Sequence, residues 1–146
     1  MGQVESPAVR SMLGVVVVER LHEARNVWLA TVRSDGRPHV APVWFVYVED
    51  RIWIGTGLTS VRVRNLRSNP AASACLEQGD EPLVAEGTVL IHESARPATV
   101  VHAFRTKYDW DITIEIDNDV GQVTLLEFRP HRWLFGLTLP TVNVDR

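Results

Sequence analysis

The sequence has a single cysteine, Cys75, which excludes an intramolecular disulfide and any cysteine-rich metal centre. Long apolar runs are missing as well. The run Leu13–Val18 ends at Glu19 and Arg20, far short of the roughly 20 residues a membrane span needs. Met1–Arg10 carries no charged-then-apolar leader pattern, so the expectation is a soluble cytoplasmic protein with no membrane partner. There is no basic surplus: 15 Lys and Arg stand against 18 Asp and Glu, and a net charge of −3 argues against a dedicated nucleic-acid binder. His22, His39, His92, His102 and His131 are scattered without any zinc-binding spacing, and no metal site is expected. The acidic residues Asp109, Asp111, Glu115, Asp117 and Asp119 lack the glycine and ligand order of a calcium loop and read as solvated surface. Internal repeats and low-complexity tracts are absent too, and 146 residues fit a single domain spanning 1–146.

What is there is an ordinary globular composition, 45% hydrophobic and 23% charged. Ser6-Pro7 reads as a helix start, with Val9, Met12, Leu13, Val16, Val17 and Leu21 recurring at helical spacing. Four consecutive valines leave the end of that helix open. A meander follows: a strand at Val27–Val32, a turn at Ser34-Asp35-Gly36, a longer strand at His39–Val48, a turn at Glu49-Asp50, and a strand at Arg51–Thr56. Pro42 fits the second strand only at an edge or a bulge. Ser60–Ser68 reads as a short helix capped by Ser60, with Val61, Val63 and Leu66 available for burial. Strands at Ala71–Leu76 and Leu83–His92, a helix at Ala98–Tyr108, and two last strands at Gln122–Phe128 and His131–Phe135 complete the chain. Meanders of short strands predict a small barrel, not a parallel sheet.

One stretch departs from the overall charge. No acidic residue occurs from Arg51 to Leu76, while Arg51, Arg62, Arg64 and Arg67 all fall there. Three of these arginines lie on the predicted helix, which follows the Gly55-Thr56-Gly57 turn. The glycines let backbone approach a ligand closely. Free N–H groups at a helix start, hydroxyls and an arginine together suit a phosphate, and Arg62 and Thr56 are placed to share one. Arg64, two residues on, cannot share the helix face of Arg62.

Leu29-Ala30-Thr31, Asp35-Gly36-Arg37-Pro38, Pro42-Val43-Trp44-Phe45, Thr56, Ser60, Arg62, Asn65-Leu66 and Asn69-Pro70 follow one another in an order that resembles the pyridoxamine 5'-phosphate oxidase-like flavin-binding split barrels. That superfamily includes reductases dependent on the deazaflavin coenzyme F420. Leu126-Glu127-Phe128-Arg129-Pro130 extends the resemblance over nearly the whole chain. It implies a mainly β fold, a six- to seven-stranded antiparallel split β-barrel of the FMN-binding type with short flanking helices. It further implies a homodimer with the cofactor in a groove between subunits. Thr56, Ser60 and Arg62 would hold the cofactor phosphate, with Arg64 and Asn65 beside them, and Pro42, Val43 and Trp44 would lie along the ring. Arg51, Arg64 and Arg67 would meet carboxylates on an F420 tail, and Trp133 would complete the site from the partner chain.

The departures from that pattern narrow the activity. Ala41 and Val46 stand where the vitamin B6 oxidases carry basic residues, and Pro130-His131-Arg132 is a poor match to their substrate-gripping segment. The reading is therefore an F420- or FMN-dependent oxidoreductase transferring hydride to or from a small organic substrate. The protein supplies orientation and water exclusion, with no catalytic side chain nominated. The alternative is a non-catalytic split barrel that binds or sequesters a cofactor or haem. Tyr108 and Trp110 read as core or dimer contacts, with a place at the substrate opening as the alternative, and His39 is the one histidine near the expected ring site.

Overall fold

The computed structural model describes the backbone of residues 7–135 and the side chains of residues 14–134. Its elements are α1 (Pro7–Glu23), β1 (Val27–Val32), β2 (Pro38–Val43), β3 (Phe45–Val48), β4 (Arg51–Gly57), α2 (Val61–Ser68), β5 (Ala71–Leu76), β6 (Leu83–His92), α3 (Ala98–Tyr108), β7 (Ile116–Asp117) and β8 (Gly121–Phe135). All strand pairs are antiparallel, in the order β2-β1-β5-β6-β8-β4-β3, with β7 added to the start of β8.

The strand expected over His39–Val48 is two strands. β2 pairs with β1 and β3 pairs with β4, so the two stand at opposite ends of the sheet path, yet only Trp44 separates them in sequence. The sheet must therefore curl until its ends meet, which makes a split barrel with its seam at Trp44. Pro42 lies on the edge strand β2, where its missing N–H costs no ladder bond. Conversely, the two last strands are one. β8 runs unbroken past Pro130, with a one-residue bulge where Glu86 faces Arg132 and Gly87 faces Pro130, so that His131 is the extra residue. Gly87 is required there, because a Cβ would collide with the Arg129 carbonyl.

Alternating side chains give the sheet two apolar faces. Inside the curl, Leu29, Phe45, Ile52, Ile54, Leu126 and Phe128 form the main core, and α1 reaches it through Leu21. On the outer face, Trp53, Val123 and Leu125 pack beneath Val100, Phe104 and Tyr108 of α3. Each buried large side chain of this kind contributes about 1.5–3 kcal/mol.

Several local expectations meet different outcomes. Glu49 and Asp50 make the β3–β4 turn with both φ values positive, 54° and 63°, the pattern of a tight two-residue hairpin. Helix α1 continues to Glu23, but Gly14 inside it is non-helical (φ 70°, ψ 169°). Val16 and Leu21 both follow the break, and five residues apart they point to different sides of one helical segment, so Val16 is exposed while Leu21 is buried. The cap expected at Ser6 and the burial of Val9, Met12 and Leu13 lie outside the described residues. No described helix is long and apolar enough to cross a membrane.

Candidate functional site

β4 ends at the barrel seam, and the chain then turns through Leu58-Thr59-Ser60 into α2. Ser60 is the N-cap of that helix: its hydroxyl accepts from the Val63 N–H at 3.4 Å. Val63 and Leu66 are buried and fix the helix on the barrel, as the apolar spacing predicts, whereas Val61 is only partly buried. This anchoring turns Arg62 back toward β4, where its Nη1 donates to Thr56 Oγ1 at 2.8 Å.

Arg62 is the unusual group here. Burial pulls its pKa down from the ordinary arginine value, and its buried Nε–H has no hydrogen-bond partner. Among the described residues no carboxylate forms an ion pair with it. An ion that is part-buried and unpaired is costly unless a ligand completes it. The other such orphan is the Nδ1 of His39, and the two residues act on each other. Burial, then the charges of Arg33 and Arg62, lowers the His39 pKa and favours the neutral ring.

Pro42, Val43, Trp44, Thr56, Ser60 and Arg62 line one cleft of about 330 Å³, together with Gly55, Gly57, Thr59, Trp110 and Val120. Six of the eight residues picked out from sequence thus come together. Arg64 and Asn65 do not line it. Asn65 is buried and donates to Thr31 Oγ1 at 3.0 Å, tying α2 to β1. Arg64 lines a smaller cleft of about 230 Å³ with Arg33, Asp35, Arg37 and Asn65.

The arginine patch of the linear sequence is partly neutralised by folding. Arg51 pairs with Glu127 at 2.9 Å and Arg67 with Glu93 at 2.8 Å, so these two guanidiniums are committed to carboxylates distant in sequence. Glu127 also bonds His92 at 2.8 Å and Arg129 at 2.9 Å. Burial alone works to raise the Glu127 pKa, but hydrogen bonds from His92, Arg129 and Arg51, with the Arg129 charge, outweigh it and leave the carboxyl below its ordinary value.

Trp110, for which the sequence left a place at the opening as the second reading, and Val120, which it did not single out, belong to the acidic loop between α3 and β8 and line the cleft. The signal lay in the two glycines. A Cβ on Gly55 would stand 2.6 Å from the Trp110 ring, and one on Gly57 would strike the Val120 carbonyl. The glycines, which lie within β4 and not in the turn expected from sequence, therefore make room for this loop while also lining the cleft. Tyr108 is buried; its hydroxyl accepts from the Phe45 N–H at 3.0 Å and can donate to the carbonyl of Arg25 or of Phe45, each 2.8 Å away. Trp133 packs edge-on to Tyr47 of its own chain at 6.4 Å, against the main core. In the acidic loop, Asp111 accepts from Thr113, and Asp117 accepts from Asp119, Val120 and Trp110. Among the described residues no group of three or more His, Cys, Asp or Glu side chains is placed to hold a metal ion.

A seven-stranded antiparallel path curled until its ends meet at Trp44 defines a split β-barrel protein. Residues 16–135 match the pyridoxamine 5'-phosphate oxidase family, and the chain belongs to it. It is similar to a conserved hypothetical protein of Mycobacterium tuberculosis, Rv2991, at 26% identity over 81% of this chain and 80% of that one (TM-score 0.65). It is also similar to an F420 reductase, at 25% identity over 79% of this chain and 93% of that one (TM-score 0.62). HutZ, the haem storage protein of Vibrio cholerae, shares the fold at 20% identity over 85% and 96% of the two chains (TM-score 0.66). No protein of curated function matches the sequence.

Proposed function

We propose that the cleft at the seam holds the phosphate of FMN or of the deazaflavin coenzyme F420, and that the protein is an oxidoreductase working on a small organic substrate. The observation that carries this reading is Arg62, part-buried with an orphan Nε–H and no acidic partner. A phosphate oxygen is the partner that a guanidinium, a threonine hydroxyl and the capped start of α2 jointly favour. Thr56 and Ser60 would add hydroxyl donors. Pro42, Val43 and Trp44 would flank the ring, and Trp44 and Trp110 would keep water from it. Family membership and the similarity to an F420 reductase support the cofactor class. When bound, the cofactor supplies the hydride chemistry, and the chain binds, orients and shields.

Of the arginines assigned to an F420 tail, Arg64 is the one left without an acidic partner among the described residues, and its cleft also holds Arg33 together with Arg37, which Asp35 of the same cleft pairs at 2.9 Å. That cleft favours a cofactor with anionic groups beyond the phosphate. The protein would work as a homodimer, the open side of the cleft closed by a second subunit. Val40 (56% exposed) and Trp44 (37% exposed), apolar and next to the cleft, suit such a contact.

The test is a parallel titration of FMN and F420 into the wild type and the Arg62→Gln variant. One cofactor should bind at micromolar concentration, and the variant should lose about 1.5–3 kcal/mol, roughly 10- to 100-fold in affinity. No binding of either cofactor refutes the proposal. Binding without turnover of any artificial acceptor assigns the carrier role instead.

A further inference from the structure

Beside the phosphate cleft lies a second cavity, of about 420 Å³, that shares Trp44, Trp110 and Val120 with it. Its walls are aromatic. Trp44 stacks on Tyr108 with centroids 4.4 Å apart and 11° between planes, and meets Trp110 edge-on at 6.0 Å. Arg25 stands 4.9 Å from the Trp44 centroid and 5.0 Å from that of Tyr108, and Lys107 stands 5.3 Å from the latter, so cations of the chain already lie against this ring pair from outside the cavity lining.

The charge of the lining is of one sign. Asp109, Asp117 and Asp119 line the cavity, and none of its lining residues is Lys or Arg. The Asp119 N–H, then the Val120 N–H and the Trp110 indole, hold the Asp117 carboxyl below its ordinary pKa and fix it as an anion. Arg105 reaches Asp109 at 3.5 Å, but that pair is exposed and screens little. The neighbouring cleft has the opposite character, with Arg62 at its base.

The geometry points to a substrate pocket for a ring-bearing organic cation, such as an N-alkylated or protonated heteroaromatic amine, seated against the aromatic wall and facing the carboxylates. The cavity is within the size range of small-molecule sites and adjoins the place where the cofactor ring is proposed to lie. That it is a substrate pocket rests on the oxidoreductase reading; the preference for cations does not.

Calorimetric titration of N-methylquinolinium, quinoline and 1-naphthoate at pH 7.5 and low salt tests the charge preference directly. The cation should bind at least tenfold more tightly than the neutral ring, and the anion least well. The Asp109→Asn, Asp119→Asn double variant leaves the Asp117 hydrogen bonds in place and should bring the cation and the neutral ring to within about threefold. Equal affinity for all three probes, or a preference unchanged in the double variant, overturns the inference. Arg62→Gln separates the two readings: it should weaken FMN or F420 and leave N-methylquinolinium unchanged. If neither cofactor binds but the cation preference persists, the oxidoreductase reading fails and the cation pocket stands.

Discussion

Arg96 gives the most demanding test of how the cleft is held. All five of its N–H groups meet backbone carbonyls: Nε reaches Ile112 at 3.1 Å, Nη1 reaches His92 at 3.1 Å and Ala95 at 2.8 Å, and Nη2 reaches Glu93 at 3.1 Å and Val123 at 2.9 Å. One side chain thus ties the end of β6, the acidic loop and the start of β8, and through that loop it sets Trp110 against Gly55. The bonds to Ala95 and Glu93 are exposed and water can replace them, whereas those to His92, Ile112 and Val123 are part-buried. Three charge-assisted bonds, discounted for partial hydration, put the cost of Arg96→Met at about 3 kcal/mol. For a domain of this size that lowers the melting temperature by about 6–12 °C. Arg96→Lys supplies fewer donors from a single point and should recover only part of the loss. Urea denaturation of the three proteins, followed by the summed emission of the five indoles, measures this. A loss below about 1 kcal/mol for Arg96→Met would refute the clamp, since bonds of that net worth are ordinary surface ones.

Tyr108→Phe leaves the buried Phe45 N–H without its acceptor and should cost about 1–3 kcal/mol in chemical denaturation, with the fold intact by circular dichroism. Gly55→Ala should displace the Trp110 ring and weaken FMN or F420 binding, measured by a red-shifted indole emission and a titration. Lys107 donates to the Phe45 carbonyl at 3.0 Å, and burial, then the Arg25 charge, lowers its pKa to about 8. Below pH 8 the folded and unfolded states are both protonated, and folding bears the full cost of the buried charge. Between about pH 8 and the unfolded value near 10.4 the folded state releases its proton first, so the wild type should gain stability with pH relative to Lys107→Met. Parallel melts from pH 7.5 to 10 measure that difference, and a constant gap would count against it.

What sequence made legible was whatever local chemistry decides. β1, β5, β6 and α3 begin and end where alternation, helical spacing and turn residues place them. The Ser60 cap and the Thr56–Arg62 bond follow from residue types a few positions apart. Pairing partners decided the remainder. Nothing local to His39–Val48 tells that Trp44 separates strands belonging to opposite ends of the sheet, and Pro130 stops β8 only if the bulge opposite Gly87 is unseen. The acid-free window misled in the same way. Glu127 lies 76 residues from Arg51 and Glu93 lies 26 from Arg67, so the linear charge pattern overstated the positive surface that survives folding.

The place of β8 between β6 and β4 has a consequence for how the protein is made. On a ribosome, β1 to β6 emerge first, and they can form only two separate pieces: the four-stranded β2-β1-β5-β6 sheet and the β3–β4 hairpin. Besides the edges at β2 and β3 that the finished sheet keeps, each piece then presents a bare backbone edge, along β6 or along β4, that waits for the same late strand. An unpaired edge is a template for association with other chains. A nascent or truncated chain that stops before Gly121 therefore carries two additional sticky edges, and synthesis of the last strand both joins the pieces and covers those two.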